Sequence, residues 1–370
     1  MEPPTIGGST GQHRPEPGDR PARSSSVSPS ANAHGVGHES AVQGVAHRTE
    51  QLRARMDVLL RSRELALLVM AVLLFVVFAV LGGENFRDAE NLLGAARQTI
   101  IVVIIAVGMT YLLIAGEIDL SVGANFALAT ILLAMMIDYF GWNPFMAAGA
   151  ALAAGALVGL VNGIGVILTR MPSLIFTLAM MFMLKSIALL LTGGFPINFQ
   201  EQSWFTKVTG GYIGPISVHL LWGALIVAVG AWILAKSRFG YHVYATGGNV
   251  LAAKRAGINT NQVKIICFVL SGVLSSFAGV LLIGLIQSGN PNTGTGYELA
   301  VIAAVVIGGT NLFGGAGSVV GTAIGAAILT LIANGLIHLG VSLFAEHLVT
   351  GLIIITAVVV DIQLRKRIVQ

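Results

Sequence analysis

The chain has 370 residues, 55% of them hydrophobic and only 10% charged, with a mean hydropathy of +0.82. A soluble domain carries about 25% charged residues, so most of this chain belongs in lipid. The formal net charge of +4 is scattered over loops and termini, which excludes a nucleic-acid surface, and the single cysteine, Cys267, excludes a disulfide framework or a thiolate metal cluster.

Residues 1–46 are rich in Pro, Ser, Gly and His and poor in large apolar side chains, so they are expected to form a disordered tail. The histidines His13, His34, His38 and His47 are too irregularly spaced for a metal site. A cleavable secretory signal is not expected, because the first apolar run begins only near Glu64, after a basic approach over 47–63. Apolar windows of about 17–25 residues then predict about ten membrane-crossing helices. They cover 64–81, 98–115, 124–140, 144–168, 174–192, 216–235, 263–286, 297–309, 318–339 and 347–360, and the window 297–309 is too short to cross alone. The fold class is therefore an all-α polytopic membrane protein, with its membrane domain over 64–362 and a basic tail over 363–370. The 46 glycines suit close helix packing.

The outer loop 193–215 carries Phe195, Phe199, Trp204, Phe205 and Tyr212, which fit either an interfacial belt or a landing surface. The central polar loop 236–264 contains Lys236, Arg238, Lys254, Arg255 and Lys264 and no acid. By the positive-inside rule it faces the cytoplasm, and an even number of spans puts both termini there too. Within it, 249–256 predicts a short helix: Asn249 is a good N-cap, Ala252, Ala253 and Ala256 keep one face small, and Gly257 is a good stop.

AGEIDLSVG at 115–123 and IGGTNLFGGAG at 307–317 share a pattern of apolar helix, Gly-rich polar break and second apolar helix. Irregular backbone of this kind is tolerated in membranes where it lines a cavity, so both breaks are candidates for a substrate path. Carboxylates this close to lipid are costly and face an interior or a water-filled path. Asp119, with Ser121, can cap the next helix, bind substrate hydroxyls or gate against a basic group; Glu117, two residues away, belongs to the same choice. Asn125, Asn162, Thr177 and Glu298 complete the candidate path. Asn162 and Asn334 each precede a glycine, which suits tight packing with interhelical hydrogen bonds. Thr177 either faces the path or bonds back to its own helix. Glu298 begins its helix, where a carboxylate suits the dipole. Lys185 either snorkels outward or pairs with an acid. The Gly-rich GGTNLFGGAG lacks the Lys-Ser/Thr ending of a phosphate-binding loop, so the chain is not expected to hydrolyse ATP itself, and neither a metal-ligand nor a catalytic-triad pattern is present.

Three stretches, GYHVYATGGNVLAAKRAGINTNQVK at 240–264, AGEIDLSVG at 115–123 and GYELAVIAAVVIGGTNLFGGAGSVVGTAIGA at 296–326, resemble the ribose-type permeases, the membrane subunits of bacterial ATP-binding-cassette (ABC) sugar importers. The resemblance extends over roughly 65–360. It implies a type II-like ABC importer permease in the bacterial cytoplasmic membrane, and it makes 240–264 a coupling loop. A separate ATPase, a double-cassette subunit, would grip Gly247, Gly248, Asn249, Ala252, Ala253, Lys254, Arg255 and Gly257. It further implies an extracytoplasmic sugar-binding protein, a second permease copy or homologue, a monosaccharide cargo, and no cofactor beyond the ATP and Mg used by the ATPase. The family usually reads Gly-Gly-Ile-Asp-Leu-Ser-Val-Gly at the first break, where this chain has Glu117 for the second glycine. Ser173 and Leu174 likewise depart from its Pro-Phe-Ile-Val-Thr-Leu run. Other cargoes open to such permeases are nucleosides, autoinducer-like sugars and branched-chain amino acids, the last disfavoured because only acidic charges are evident in the path. The other class is an ion-coupled secondary transporter with Glu117 and Asp119 as proton or sodium sites.

Overall fold

With no water in the hydrocarbon layer to bond free N–H and C=O groups, long apolar runs fold as helices. The computed structural model describes residues 63–199 and 204–342, with 348–349, 351–352 and 355–356, all within one unit, Asp57–Gln370. The expected tail 1–46, the basic approach up to 62, most of the span 347–360 and the basic end 363–370 lie outside the described residues.

Seven helices among the described residues are long and apolar enough to cross a membrane. These are Arg63–Leu81 (α1), Ala89–Ile114 (α3), Pro144–Thr169 (α5), Ser173–Thr192 (α6), Val218–Lys236 (α8), Thr260–Ile286 (α11) and Val319–His338 (α13). Two shorter apolar helices are Val122–Asp138 (α4) and Tyr297–Ile307 (α12), and four small ones are Gly83–Arg87 (α2), Trp204–Gly210 (α7), Arg238–Gly248 (α9) and Val250–Arg255 (α10). Every expected span that falls on described residues is thus a helix. The second begins more than two turns before the expected Gln98, because Asp88 caps it by accepting from the amides of Glu90 and Asn91.

α11 is the central post: 61% of its apolar window is buried, against 17% for α1 at the rim. It packs against α3, α4, α5 and α7. Small residues allow this. A Cβ on Gly155 of α5 would stand 2.6 Å from the Gly272 carbonyl oxygen, and one on Gly159 would collide with the Phe268 carbonyl oxygen and stand 2.8 Å from Val269 Cα. The two backbones touch directly, as membrane helices do where dispersion and polar contacts replace the hydrophobic effect.

Partners along α11 set the depth of the short helices. Lys264, one turn into α11, meets Glu117. Ser275, fifteen residues in and so about 22 Å along the axis, donates to the carbonyl of Val122 at the start of α4. The non-helical segment 117–121 therefore runs along one half of the bundle, and α4 begins near its middle. From the opposite end, residues 287–296 turn back along α4. Ser288–Gly289 (β4) pairs antiparallel with Ile197–Asn198 (β1), Gly289 lies against Thr130, and Gly294 lies against Phe126 and Gly123. α12 then starts beside the start of α4, with Tyr297 stacked on Phe126 at 5.4 Å. The window that is too short to cross alone is a half-helix completed by a re-entrant loop. A small hairpin, Tyr212–Ile213 (β2) with Ile216–Ser217 (β3), leads into α8.

The aromatics of loop 193–215 divide: Phe199 and Phe205 are buried, whereas Phe195, Trp204 and Tyr212 are exposed, the last under the Arg97 guanidinium at 4.7 Å. The backbone contact between α5 and α11 makes a direct prediction. Gly159→Ala must force the two helices apart and destabilise the purified chain by about 1–3 kcal/mol, read as a lower thermal midpoint. Gly149→Ala, whose Cβ meets nothing within 4 Å, should leave the midpoint unchanged.

Candidate functional site

Both breaks are built on the same turn. α3 closes with the Gly116 amide on the Leu113 carbonyl and the Glu117 amide on the Leu112 carbonyl, each at 2.9 Å, with Gly116 at φ +80°. α12 closes with Gly309 on Val306 at 2.9 Å and Thr310 on Val305 at 3.0 Å, with Gly309 at φ +98°. Each is a Schellman end, which requires a left-handed residue and hence a glycine at that one position. Glu117 follows the glycine and is not left-handed, so the turn accepts its side chain without strain.

Beyond the turn, the non-helical segment is held by side chains from three helices. Ser173 Oγ of α6 accepts from the Ile118 amide at 3.1 Å, and Thr177 Oγ1 accepts from the Leu120 amide at 3.0 Å. Thr177 also donates to the Ser173 carbonyl of its own helix at 2.8 Å. Asp119 Oδ1 accepts from the Ser121 amide and hydroxyl at 2.9 and 2.6 Å. Asn162 Nδ2 of α5 donates to Ser121 Oγ at 2.8 Å. Ser121 occupies the N-cap of α4, yet its side chain makes no capping bond and serves Asp119 instead. Glu117 takes a different partner: its Oε1 lies 2.5 Å from Lys264 Nζ of α11. The two acids expected to act together are thus separated, one in a hydroxyl–amide cluster and one in an ion pair. Asp119, Ser121, Asn125, Asn162 and Thr177 are all at most 2% exposed within this chain.

At mid-bundle the N-termini of α4 and α12 come together. Oε2 of Glu298, in the first turn of α12, lies 2.7 Å from where a Gly123 Cβ would stand. Its carboxylate thereby meets the positive ends of two helices. Asn125 donates through Nδ2 to the Gly272 carbonyl at 2.9 Å, joining α4 to α11, and Ser275 binds the Val122 carbonyl from α11. Glu298 stays partly exposed. The remaining in-span expectations divide. Asn162 makes its interhelical bond, but Asn334 Nδ2 makes none among the described residues. Lys185 likewise makes no ion pair among them.

The stretch expected as a water-exposed loop is mostly helical and partly buried. Ser237 Oγ caps α9 on the Gly240 amide at 3.0 Å, and Gly240, Val243 and Thr246 of α9 are buried. The cap supplies a start that apolar windows do not register, and one face of α9 packs on α3 and α11. Burial raises the Tyr244 hydroxyl above its usual value, so it stays protonated and donates to the Gly317 carbonyl at 2.7 Å. α10 follows with the expected termini: Asn249 Oδ1 accepts from the Ala252 amide at 3.0 Å, and Gly257 at φ +83° closes it. Its small face does not all point outward, because Ala253 is buried while Leu251, Ala252, Lys254, Arg255 and Ala256 are exposed.

The three polar segments meet at glycines. The Gly315 amide bonds the Ile114 carbonyl at 2.9 Å, and Gly247 rests on that same carbonyl so closely that a Cβ would collide with it. Gly314 lies against Gly247 and Gly116. Both breaks therefore abut the stem of α10 at one end of the bundle. Sequence reasoning missed Lys264 and Ser173 as partners, since neither stands out in composition and each acts on a segment far along the chain. Gly247→Ala should push the break and the α9 stem apart and lower the thermal midpoint of the purified chain, by an overpacking cost of about 1–3 kcal/mol. Gly248→Ala, which meets nothing within 4 Å, should leave it unchanged.

Comparison with known proteins adds to this geometry. Residues 91–358 match the family described as the branched-chain amino acid transport system / permease component. The chain is 40% identical over 304 residues to the ribose import permease protein RbsC of Escherichia coli (strain K12), covering 80% of this chain and 92% of that protein. It is 31% identical to the xylose transport system permease protein XylH of Haemophilus influenzae, covering 83% and 99%. It is 32% identical to the autoinducer 2 import system permease protein LsrC of Escherichia coli (strain K12 / DH10B), covering 82% and 88%. No solved structure matches the chain. With seven helices long and apolar enough to cross a membrane among its described residues and this match over most of its length, the chain belongs to this permease family, on its ribose-type branch.

Proposed function

We propose that the chain is the membrane subunit of an ATP-driven importer that moves a monosaccharide by alternating access, with a separate ATPase docked on α10. The observation that carries this reading is the placement of α10. It is a capped helix with Leu251, Lys254 and Arg255 outward, and its stem abuts both broken segments through Gly247. A partner that shifts α10 therefore shifts both breaks, which is how a motor outside the chain would switch the path between two states. Lys236, Arg238, Lys254, Arg255 and Lys264 support a cytoplasmic position for this end, and with it cytoplasmic termini. On the other side, an extracytoplasmic binding protein would deliver the solute to a permease dimer, homo or hetero.

Cargo chemistry follows from the meeting of α4 and α12. Two positive helix ends would attract an anion, but the Glu298 carboxylate already fills that role. Neutral hydroxyl-rich solutes suit a partly exposed carboxylate acceptor, whereas the carboxylate of an amino acid would be repelled. The ribose, xylose and autoinducer 2 names of the relatives point the same way.

Reconstituting the complete transporter in proteoliposomes tests this reading with labelled ribose, xylose and leucine. A pentose should accumulate only with ATP, and leucine should not. Glu298→Gln should slow uptake about tenfold, as expected for losing one charge-assisted hydrogen bond of ~1.5 kcal/mol. Accumulation against a gradient with no ATPase present would instead make the chain a secondary transporter.

A further inference from the structure

We propose that the Glu117–Lys264 ion pair is a strut that carries movement of the coupling loop into the broken segment 117–121. On this assignment Glu117 is a positioning residue for transport and does not touch the solute. The inference rests on the reading of α10 as the ATPase-docking helix.

The pair joins two stiff bodies. On one side, Gly257 closes α10, and Asn259 Oδ1 caps α11 on the Gln262 amide at 3.1 Å, so a compact turn separates Arg255 from the helix that bears Lys264. On the other, Glu117 leaves the Schellman end of α3 and leads into the segment pinned by Ser173, Thr177 and Asn162. Five residues further on, that segment becomes the first turn of the half-helix α4, which faces Glu298. Displacing Glu117 therefore displaces the mid-bundle end of α4.

Tyr244 of α9 bonds the second break at the Gly317 carbonyl, and the other link between the loop and the first break is the glycine junction at Gly247. Contact between uncharged backbones resists compression but offers little against separation, because dispersion decays within an ångström or so. Opposite charges resist being pulled apart. The two links are complementary: one pushes and the other pulls. Lys264 and Glu117 side chains are only 19% and 10% exposed, so separating them would leave two poorly solvated charges, which favours moving together.

The test uses the complete transporter in proteoliposomes with Glu117→Gln, Lys264→Gln and the charge-reversed double variant Glu117→Lys with Lys264→Glu. The readouts are ATP hydrolysed per solute moved, the stimulation of hydrolysis by the binding protein, and co-purification of the ATPase. Each single variant should raise ATP consumed per solute about threefold or more with the ATPase still bound, and the reversed pair should restore most of that loss. The thermal midpoint of the purified chain separates a merely structural role. If the single variants lower the midpoint but keep the wild-type ratio of ATP to solute, or if the reversed pair couples no better than the singles, the strut is wrong. Failure of the parent reading shows differently, as a wild-type chain that does not retain the ATPase or accumulate sugar. Stimulation of hydrolysis by the binding protein compares the variants without knowledge of the cargo.

Discussion

Peptide groups at membrane depth have to find partners inside the protein, and the non-helical segment 117–121 is where this constraint bears hardest. A helix satisfies its own backbone; an irregular run of five residues cannot. Here Ser173 and Thr177 accept from two of its amides and Asp119 accepts from a third. Ser173 and Thr177 both belong to α6, and the segment itself joins α3 to α4, so satisfying one stretch of backbone ties α3, α4 and α6 together. Asn162 adds α5 through Ser121, and Lys264 adds α11 through Glu117. Polar side chains from three helices thus converge where regular structure stops.

Close backbone contact makes the remainder of the bundle responsive as a set of rigid parts. α5 meets α11 at Gly155, Gly159 and Gly272, while α12 meets α13 at Gly308, Gly321 and Gly325, in each case with no room for a Cβ. Such interfaces slide or separate as units and do not deform smoothly. The short helices α4 and α12 are the parts least bound by their own length: each is anchored at one end of the bundle and begins in its middle. An alternating-access cycle needs elements of that kind next to the solute and a lever at the membrane surface. The α10 stem abuts Ile114, Gly314 and Gly315 and so lies directly against both breaks.

Hydropathy found the spans because burying apolar surface and closing backbone hydrogen bonds are demands that each segment meets locally. The caps were legible for the same reason. Asn249 and Gly257 act within one turn of their own position, and Gly116 and Gly309 end helices by a rule of backbone geometry that needs no distant partner. Side-chain partners were not legible. Asn162 and Asn334 both precede a glycine within a span, yet one bonds across helices and the other leaves its amide nitrogen unbonded among the described residues. Ala252 and Ala253 are adjacent in the same small-residue run, yet one faces out and the other in.

The amino-acid order by itself determined a helical membrane protein, the position of its two glycine breaks and the presence of a capped basic helix between its halves, since all three arise from interactions within a few residues. Only the tertiary structure decided that both breaks meet that helix, that α4 and α12 start face to face, and that Glu117 pairs with a lysine 147 positions away. Those outcomes depend on which helix surfaces approach closely enough to touch. In a bilayer that choice is made by small differences in packing and polar pairing between distant segments, which no local pattern encodes.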